Sequence, residues 1–256
     1  MKCKICGSQA LLYCRKKVLK KYTVSYYRCR NCGLIQTEKP YWLKEAYSSA
    51  IIDADTGLIS RNIILSKVVS IITLLFSIKN SEVLDYAGGY GVMTRLLRDI
   101  GVDCYWQDKF AENILARGFE SKDNKKYDVV TTFEYFEHIK DPIKVINKII
   151  KTYEPKLLIF STMLHNGNPS KDWWYFVPEG GQHITFYTRK SLSILAQKKG
   201  MRFSTNGKNL HIFSKTYIPD LFLIFISIFW PLLFPFVKRF YKSKTVSDQL
   251  LIVNNK

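Results

Sequence analysis

Four of the six cysteines form two tight pairs, Cys3-Lys-Ile-Cys6-Gly7 and Cys29-Arg-Asn-Cys32-Gly33, with 22 residues between them. Two residues between thiols let both sulfurs reach one tetrahedral ion, and the glycine after each pair allows the tight turn beneath it. Four thiolates complete such a shell. Cys3, Cys6, Cys29 and Cys32 are therefore expected to hold a structural zinc, with Leu11–Tyr13 and Tyr22–Tyr27 as the strands of a zinc ribbon. Cys14 and Cys104 are left over. So few, so unevenly spread cysteines do not make a secreted disulfide scaffold, and no apolar leader opens the chain, so the cytoplasm is the expected compartment.

A second concentration of chemistry is Val83-Leu84-Asp85-Tyr86-Ala87-Gly88-Gly89-Tyr90-Gly91. A strand that runs into small residues and then a helix lets a ligand approach the backbone at the sheet edge. Gly89 and Gly91 stand where a side chain is expected to collide with that ligand. Asp108 follows Gly88 by 20 residues, where an acid can accept from both hydroxyls of a ribose. No lysine of a phosphate-cradling loop follows the glycines, which argues against a nucleoside triphosphatase.

The third cluster is Phe133-Glu134-Tyr135-Phe136-Glu137-His138, leading to Asp141-Pro142. A fourth is Trp173-Trp174-Tyr175-Phe176 through Glu179, Gln182 and His183 to Tyr187. Rings that stack on sugar faces, beside carboxylate, amide and imidazole, suit a polyhydroxylated acceptor. Histidine is the natural base near neutral pH. His183 is the first candidate and His138 the second; His165 sits in a flexible-looking loop, and His211 is expected to be structural.

The elements that must position these groups alternate from residue 81 onward. Strands are expected at 83–86, 103–107, 127–132, 157–161, 202–206 and 209–214, with helices opening near Val92, Pro142 and Thr188. The third strand, within 109–126, has room only for an abbreviated form. The fold class is α/β, a Rossmann-like, mostly parallel sheet with an antiparallel last strand. Four segments follow: a ribbon at 1–37, a helical linker or lid at 38–80, the sheet domain at 81–216, and an apolar, basic-flanked tail at 217–256. Within the linker, Arg61 to Phe76 is apolar enough to be expected buried. Ile218 to Val237 is nearly all apolar but carries Pro231 and Pro235, which suggests a kinked, re-entrant or surface-lying segment. Packing on the protein or dimerisation is the competing use of that segment.

The formal charge is +18, and half of it lies in the first 37 residues. Such a field attracts phosphates in nucleic acids, nucleotide sugars, lipid diphosphates or membrane heads, without choosing among them.

The glycine turn resembles that of class I S-adenosylmethionine (SAM)-dependent methyltransferases, whose pattern is acid-x-Gly-x-Gly-x-Gly; here Ala87 stands for the first glycine. Glu134 to Pro142 similarly resembles the E-x-x-E-H-x-x-D-P run of small-molecule members. The resemblance, over about 81–215, implies that Asp85, Ala87, Gly88, Gly89 and Gly91 line the methionine end of SAM. It implies Asp108 on the ribose, Lys109 or Phe110 beside the adenine with Phe119 and Glu120 closing it, and Phe133 and Glu134 beside the sulfonium. Glu137, His138 and His183 are then the catalytic candidates. The opposing reading makes Glu134 and Glu137 simple helix-start acids.

A zinc ribbon before such a domain resembles sugar methyltransferases of surface-polysaccharide or antibiotic pathways, and also ribosomal or transfer RNA methyltransferases. The Asn/Asp-Pro-Pro-aromatic run for methylating a base nitrogen is absent, and Tyr47 through Asn62 resembles the polysaccharide set. The expected acceptor is a sugar, nucleotide sugar or lipid-linked glycan, with membrane contact through 218–244. A non-catalytic scaffold of the same fold is the third reading.

Overall fold

The computed structural model describes residues 1–48, 55–76 and 81–254; residues 49–54 of the Tyr47–Asn62 segment lie outside it. In chain order the elements are β1 (Ala10–Val18), β2 (Tyr22–Cys29), β3 (Ile35–Thr37), α1 (Leu43–Ala46), α2 (Leu58–Leu75), β4 (Glu82–Tyr86), α3 (Val92–Ile100) and β5 (Asp103–Gln107). They continue as β6 (Val129–Thr132), α4 (Pro142–Tyr153), β7 (Leu157–Ser161), β8 (Thr185–Phe186), α5 (Arg189–Gln197), β9 (Arg202–Thr205), β10 (Leu210–Ser214), α6 (Asp220–Lys238) and α7 (Thr245–Asn254).

Six strands form one sheet in the order β5-β4-β6-β7-β10-β9. β4 runs parallel to β5 and β6, and β9 is antiparallel to β10. This is the expected mixed, mostly parallel α/β arrangement. The third strand survives as a single bridge between Trp106 and Glu120.

The chain divides into two compact units. One comprises Met1–Ile52, Phe133–Lys151 and Phe160–Asp220; the other comprises Asp53–Thr132, Thr152–Ile159 and Leu221–Lys256. This division differs from the four expected segments, because the ribbon residues group with later parts of the chain. The reason is a second sheet, β1-β2-β3-β8, in which the two-residue strand β8 pairs antiparallel with β3. Tyr26, Trp42, Tyr175, Phe176, Ile184 and Phe186 pack into one buried cluster around that sheet. A capping box of Thr188 and Ser191 opens α5, and the Thr188 hydroxyl also donates to the Cys32 carbonyl at 2.5 Å.

In the other unit, α3 begins at Gly91 (φ +86°) and stops at Gly101 (φ +121°). A Cβ at Gly101 would meet the Lys242 backbone at 2.5 Å, so only glycine allows the C-terminal segment to lie there. α2 is buried at Ser66 and from Val68 to Thr73, while Ile59, Ile63 and Ile64 are exposed. The expectation of burial along its whole length is corrected: only its C-terminal half faces packed protein. Lys67 lies 5.1 Å from the Trp230 ring and 5.5 Å from that of Phe234 on α6.

The tail prolines do not end the helix that contains them. α6 is one helix through Pro231 and Pro235. By length and composition, α2 and α6 are both capable of crossing a membrane, and only 17% of the α6 window is buried. The chain beyond it is tied down rather than loose. Asp248 of α7, buried, accepts from Arg98 at 2.7 Å through both oxygens and from Arg95 at 2.8 Å.

Candidate active site

The glycine turn after β4 is built from within. Asp85 is 2% exposed, and its carboxylate accepts from the Thr94 hydroxyl at 3.0 Å and the Thr131 hydroxyl at 3.2 Å. Burial pushes its pKa up to about 6, those hydroxyls pull it back, and the nearby charge of Asp108 adds to the rise. A Cβ at Gly88 would lie 2.6 Å from the Asp85 carboxylate and 2.9 Å from Trp106. At Gly91 it would meet Asn113 at 2.9 Å and Ala116 at 3.1 Å. The collisions expected at Gly91 are thus with this protein's own atoms. Gly89 differs: at φ +53°, its Cβ direction is open for 4 Å. That opening is where a ligand can reach the backbone.

Asp108 closes the other side of the turn. One oxygen accepts from Gly89 N–H at 3.0 Å, and the other from the N–H groups of Phe110 and Ala111 at 2.6 and 2.9 Å. A carboxylate offers about four lone-pair positions, so roughly one remains for a ribose hydroxyl; a second hydroxyl must displace an amide. Phe110 is 80% exposed beside it, with the Lys109 ammonium 5.4 Å from its ring centroid. Phe119 instead lies under Arg98 at 3.7 Å and is buried, while Glu120 accepts from Asn113 at 2.6 Å.

Ala87 has φ +60°, the left-handed region in which the family pattern has glycine. Alanine there costs roughly 1–2 kcal/mol, of which glycine's larger unfolded-chain entropy offsets part. Ala87→Gly is expected to raise unfolding stability by about 0.5–1 kcal/mol in urea melts. An unchanged or lower midpoint would show that the position is unstrained.

The acid–histidine run lies in the other unit. Glu134 is also left-handed (φ +49°), and it is pinned to Ser161, whose Oγ accepts from the Glu134 N–H at 2.7 Å and donates to its carboxylate at 2.6 Å. Phe133, just before it, is half-buried. Glu137 and His138 lie in a single 3₁₀ turn, Phe136–His138, and α4 starts only at Pro142 with Asp141 capping it. The helix-start reading of Glu137 is corrected by its burial: it is fully enclosed, and its Oε1 accepts from the Tyr175 hydroxyl at 2.5 Å. Burial and the neighbouring Glu134 charge push its pKa up to about 8.

His183 meets this group. Its ring is 4.9 Å from that of His138, edge to face, and 4.8 Å from Tyr175. Its Nδ1–H donates to the Tyr175 carbonyl at 2.7 Å, which fixes the tautomer and leaves the lone pair on Nε2. Burial and the adjacent His183 hold the pKa of His138 well below the usual imidazole value. His165, by contrast, is buried rather than in a mobile loop: Gly167 N–H donates to Nδ1, and burial lowers its pKa to about 4. His211 is held between Thr205 and the Thr162 carbonyl, as a structural residue should be.

A family profile described as a methyltransferase domain matches residues 63–203. The chain belongs to that methyltransferase family. No curated protein matches it. Among solved structures, TnmH is 15% identical over 70% of this methyltransferase and 62% of its own chain, with a TM-score of 0.49. The plantazolicin methyltransferase BpumL, solved with a monoazolic desmethylPZN analogue and SAH, is 13% identical over 77% of this chain and 87% of its own (TM-score 0.48). Magnesium protoporphyrin IX methyltransferase (ChlM) from Synechocystis PCC 6803, with bound SAM, is 15% identical over 68% and 92% (TM-score 0.40). The methyltransferase thus spans less than two thirds of TnmH.

At its N-terminus the four cysteine sulfurs of the methyltransferase converge within 4.8 Å of one another. Cys3 and Cys32 are 3.6 Å apart and Cys6 and Cys29 3.4 Å, none of them in a disulfide. Sulfurs bound tetrahedrally at 2.3 Å lie about 3.8 Å apart, so the donor set fits zinc in type, number and spacing. Both turns repeat the same bond, from Gly7 N–H to the Cys3 carbonyl and from Gly33 N–H to the Cys29 carbonyl, each at 3.1 Å.

Sequence reasoning missed Thr94, Thr131 and Trp106 in the turn, and Tyr47 and Tyr175 around the histidines. Trp106 donates from Nε1 to the Gly89 carbonyl at 2.8 Å. Only Tyr175 had a signal, its place in the aromatic run that precedes His183.

Proposed function

We propose that this methyltransferase moves the methyl group of SAM to a hydroxyl of a small polyhydroxylated acceptor, a sugar in free, nucleotide-linked or lipid-linked form. The observation that carries the reading is the open Gly89 turn flanked by two carboxylates. Asp85 and Asp108 raise the negative potential there, which suits a ligand with a sulfonium and an ammonium at one end and a ribose at the other. Bound SAM supplies an already activated methyl group. What the chain must add is alignment and removal of the acceptor proton.

His183 is the base in this reading: its Nδ1–H is committed to Tyr175, and Nε2 carries the lone pair. A sugar acceptor is supported by the aromatic surroundings of the 181–183 segment. Trp42 donates to the Gly181 carbonyl at 2.8 Å, and Tyr22, Tyr41, Trp42, Lys44 and Glu45 line one shallow depression. Zinc in the four cysteines would hold the ribbon frame without taking part in the chemistry.

The same reading seats the enzyme on the cytoplasmic face of an anionic membrane. Leu221, Phe225, Ile228, Leu232 and Phe236 are exposed along α6, and Lys238, Arg239 and Lys242 follow them. An enzyme so placed would meet lipid-linked glycans.

Calorimetric titration of S-adenosylhomocysteine (SAH) with zinc measured on the same sample tests the cofactor and the ribbon together. Micromolar binding with zinc retained supports both, whereas a folded, zinc-loaded protein that ignores SAH would favour a scaffold. His183→Ala is expected to leave SAH affinity unchanged and to lower turnover of a sugar acceptor about 100-fold or more. Turnover near the native rate would remove His183 from the base role. Co-sedimentation with vesicles containing anionic lipid, lost when Leu221, Ile228 and Leu232 become serine, tests the membrane assignment; equal pelleting by both proteins would oppose it.

A further inference from the structure

Among the described residues, two groups of metal-ligating side chains converge: the four cysteines, and Glu137 with His138 and His183. We propose that Glu137, His138 and His183 form a metal site of their own, taking a first-row divalent cation through one carboxylate oxygen and two imidazole nitrogens. As an account of acceptor activation it rests on the methyl-transfer reading above but gives His183 Nε2 to the cation, which then activates the acceptor hydroxyl in place of the imidazole base; as a binding site it stands on geometry.

One ligand atom from each of the three residues lies within 4.8 Å of the other two. Ligands on a shared cation at 2.0–2.2 Å lie about 3–3.5 Å apart, so a small rotation of two half-buried rings completes the site. The decisive atom is Glu137 Oε2. It is buried and no hydrogen-bond partner meets it at bonding geometry, its sister oxygen accepts from Tyr175, and the Thr162 hydroxyl is the polar group beside the carboxyl. A buried carboxylate oxygen left bare is costly, and a cation is the partner that removes the cost outright.

The imidazoles are prepared in the way metal ligands are. A ligating histidine donates its other N–H to a carbonyl or carboxylate, which fixes the ring and its tautomer. His183 does this to the Tyr175 carbonyl; His138 bonds to the backbone of Gln182, and the Tyr47 hydroxyl 3.0 Å from its Nδ1 is displaced when that nitrogen ligates. Tyr175 thus holds two of the three ligands, Glu137 by its hydroxyl and His183 by its carbonyl.

The donor set chooses the ion. Two nitrogens and one carboxylate suit zinc, iron(II), manganese or cobalt, while magnesium and calcium prefer all-oxygen shells. Three protein ligands leave positions open, the mark of a site that admits an oxygen from outside. A hydroxyl or diol of the acceptor is the ligand of matching chemistry, and a phenol or hydroxy acid would satisfy it equally.

The test equilibrates the full chain with excess zinc, dialyses it, and measures zinc per chain for the native protein and for H183A, H138A and E137Q. Native protein is expected to hold about two zinc ions and each variant about one, the cysteine-bound ion serving as a check on folding alongside the thermal melt. E137Q keeps the bond from Tyr175 and removes only the charge, so its loss of zinc cannot be laid to collapse of the pocket. Equal zinc in native and variant proteins overturns the site. SAH calorimetry and methyl transfer on the same samples separate the two claims. Equal zinc, with methyl transfer by native protein and its loss in H183A, defeats the site and spares the proposed function. Loss of one zinc in the variants, with no acceptor methylated by native protein, does the reverse.

Discussion

Gly89→Leu is expected to raise the dissociation constant for SAH at least 100-fold while leaving a folded protein. The expectation separates ligand from scaffold, because the Cβ direction at Gly89 meets no protein atom within 4 Å. A left-handed leucine costs roughly 1–2 kcal/mol of stability, which a urea melt will register. The affinity loss, about 2.7 kcal/mol or more for 100-fold, comes from the cofactor being refused the space. Gly88 and Gly91 cannot serve this purpose. Side chains there would strike Asp85, Trp106, Asn113 or Ala116, so binding and folding would fail together. SAH binding by Gly89→Leu with native affinity would move the cofactor away from this turn.

The second large effect is on stability. Asp248→Ala is expected to cost about 3–5 kcal/mol at neutral pH, because it leaves a buried guanidinium without its counter-charge. The side chains of Arg98 and Asp248 are 4% and 2% exposed and joined at 2.7 Å, and without Asp248 Arg98 keeps the Cys104 carbonyl, the Phe119 ring and a longer ion pair at 3.7 Å to the more exposed Asp103. Against a typical total of about 5–15 kcal/mol, that is a large fraction. Burial raises the Asp248 pKa, but the bonds and charges of Arg98 and Arg95 outweigh it and hold the carboxyl below its ordinary value. A depressed carboxyl contributes its stabilisation in full above the unfolded value, about 3.9, and loses it as pH falls through the folded one. Native and variant melting curves should therefore be far apart at pH 7 and converge as pH falls through the lowered folded value. A gap that stays constant with pH would mean packing, not charge, is what the aspartate supplies.

What could be read in advance was what is local. C-x-x-C followed by glycine is one turn, the Asp85–Gly91 run is one strand-to-helix junction, and both folded as their spacing required. Asp108 stood out because 20 residues, the length of one helix and one strand, bring the chain back beside the turn. The pair Arg98–Asp248 spans 150 positions, and nothing near either residue marks the partner. β8 is two residues long, too short for any alternation, and only its pairing with β3 makes it a strand. His165 looked mobile from a Gly/Asn/Pro-rich neighbourhood, yet the Phe186 and Tyr187 backbone holds it in place. In α6 the helix carries through both prolines, which composition alone does not distinguish from a re-entrant segment. Ala87 shows the converse: the sequence marked the departure from glycine, and the backbone angle assigns its cost.

Ile184 joins two places that are far apart in the chain. Its N–H donates to the Glu137 carbonyl at 2.8 Å and its carbonyl accepts from Thr37 at 3.0 Å, beside the β3–β8 pairs and the Thr188–Cys32 bond. The thiols are therefore mechanically in series with the residue next to His183. Oxidants that pull Cys3 toward Cys32, or Cys6 toward Cys29, from about 3.5 Å to the 2.05 Å of a disulfide would tug on the same thread that sets the imidazole. Through that thread, a change in spacing at the thiols would be passed along the backbone to the His183 ring.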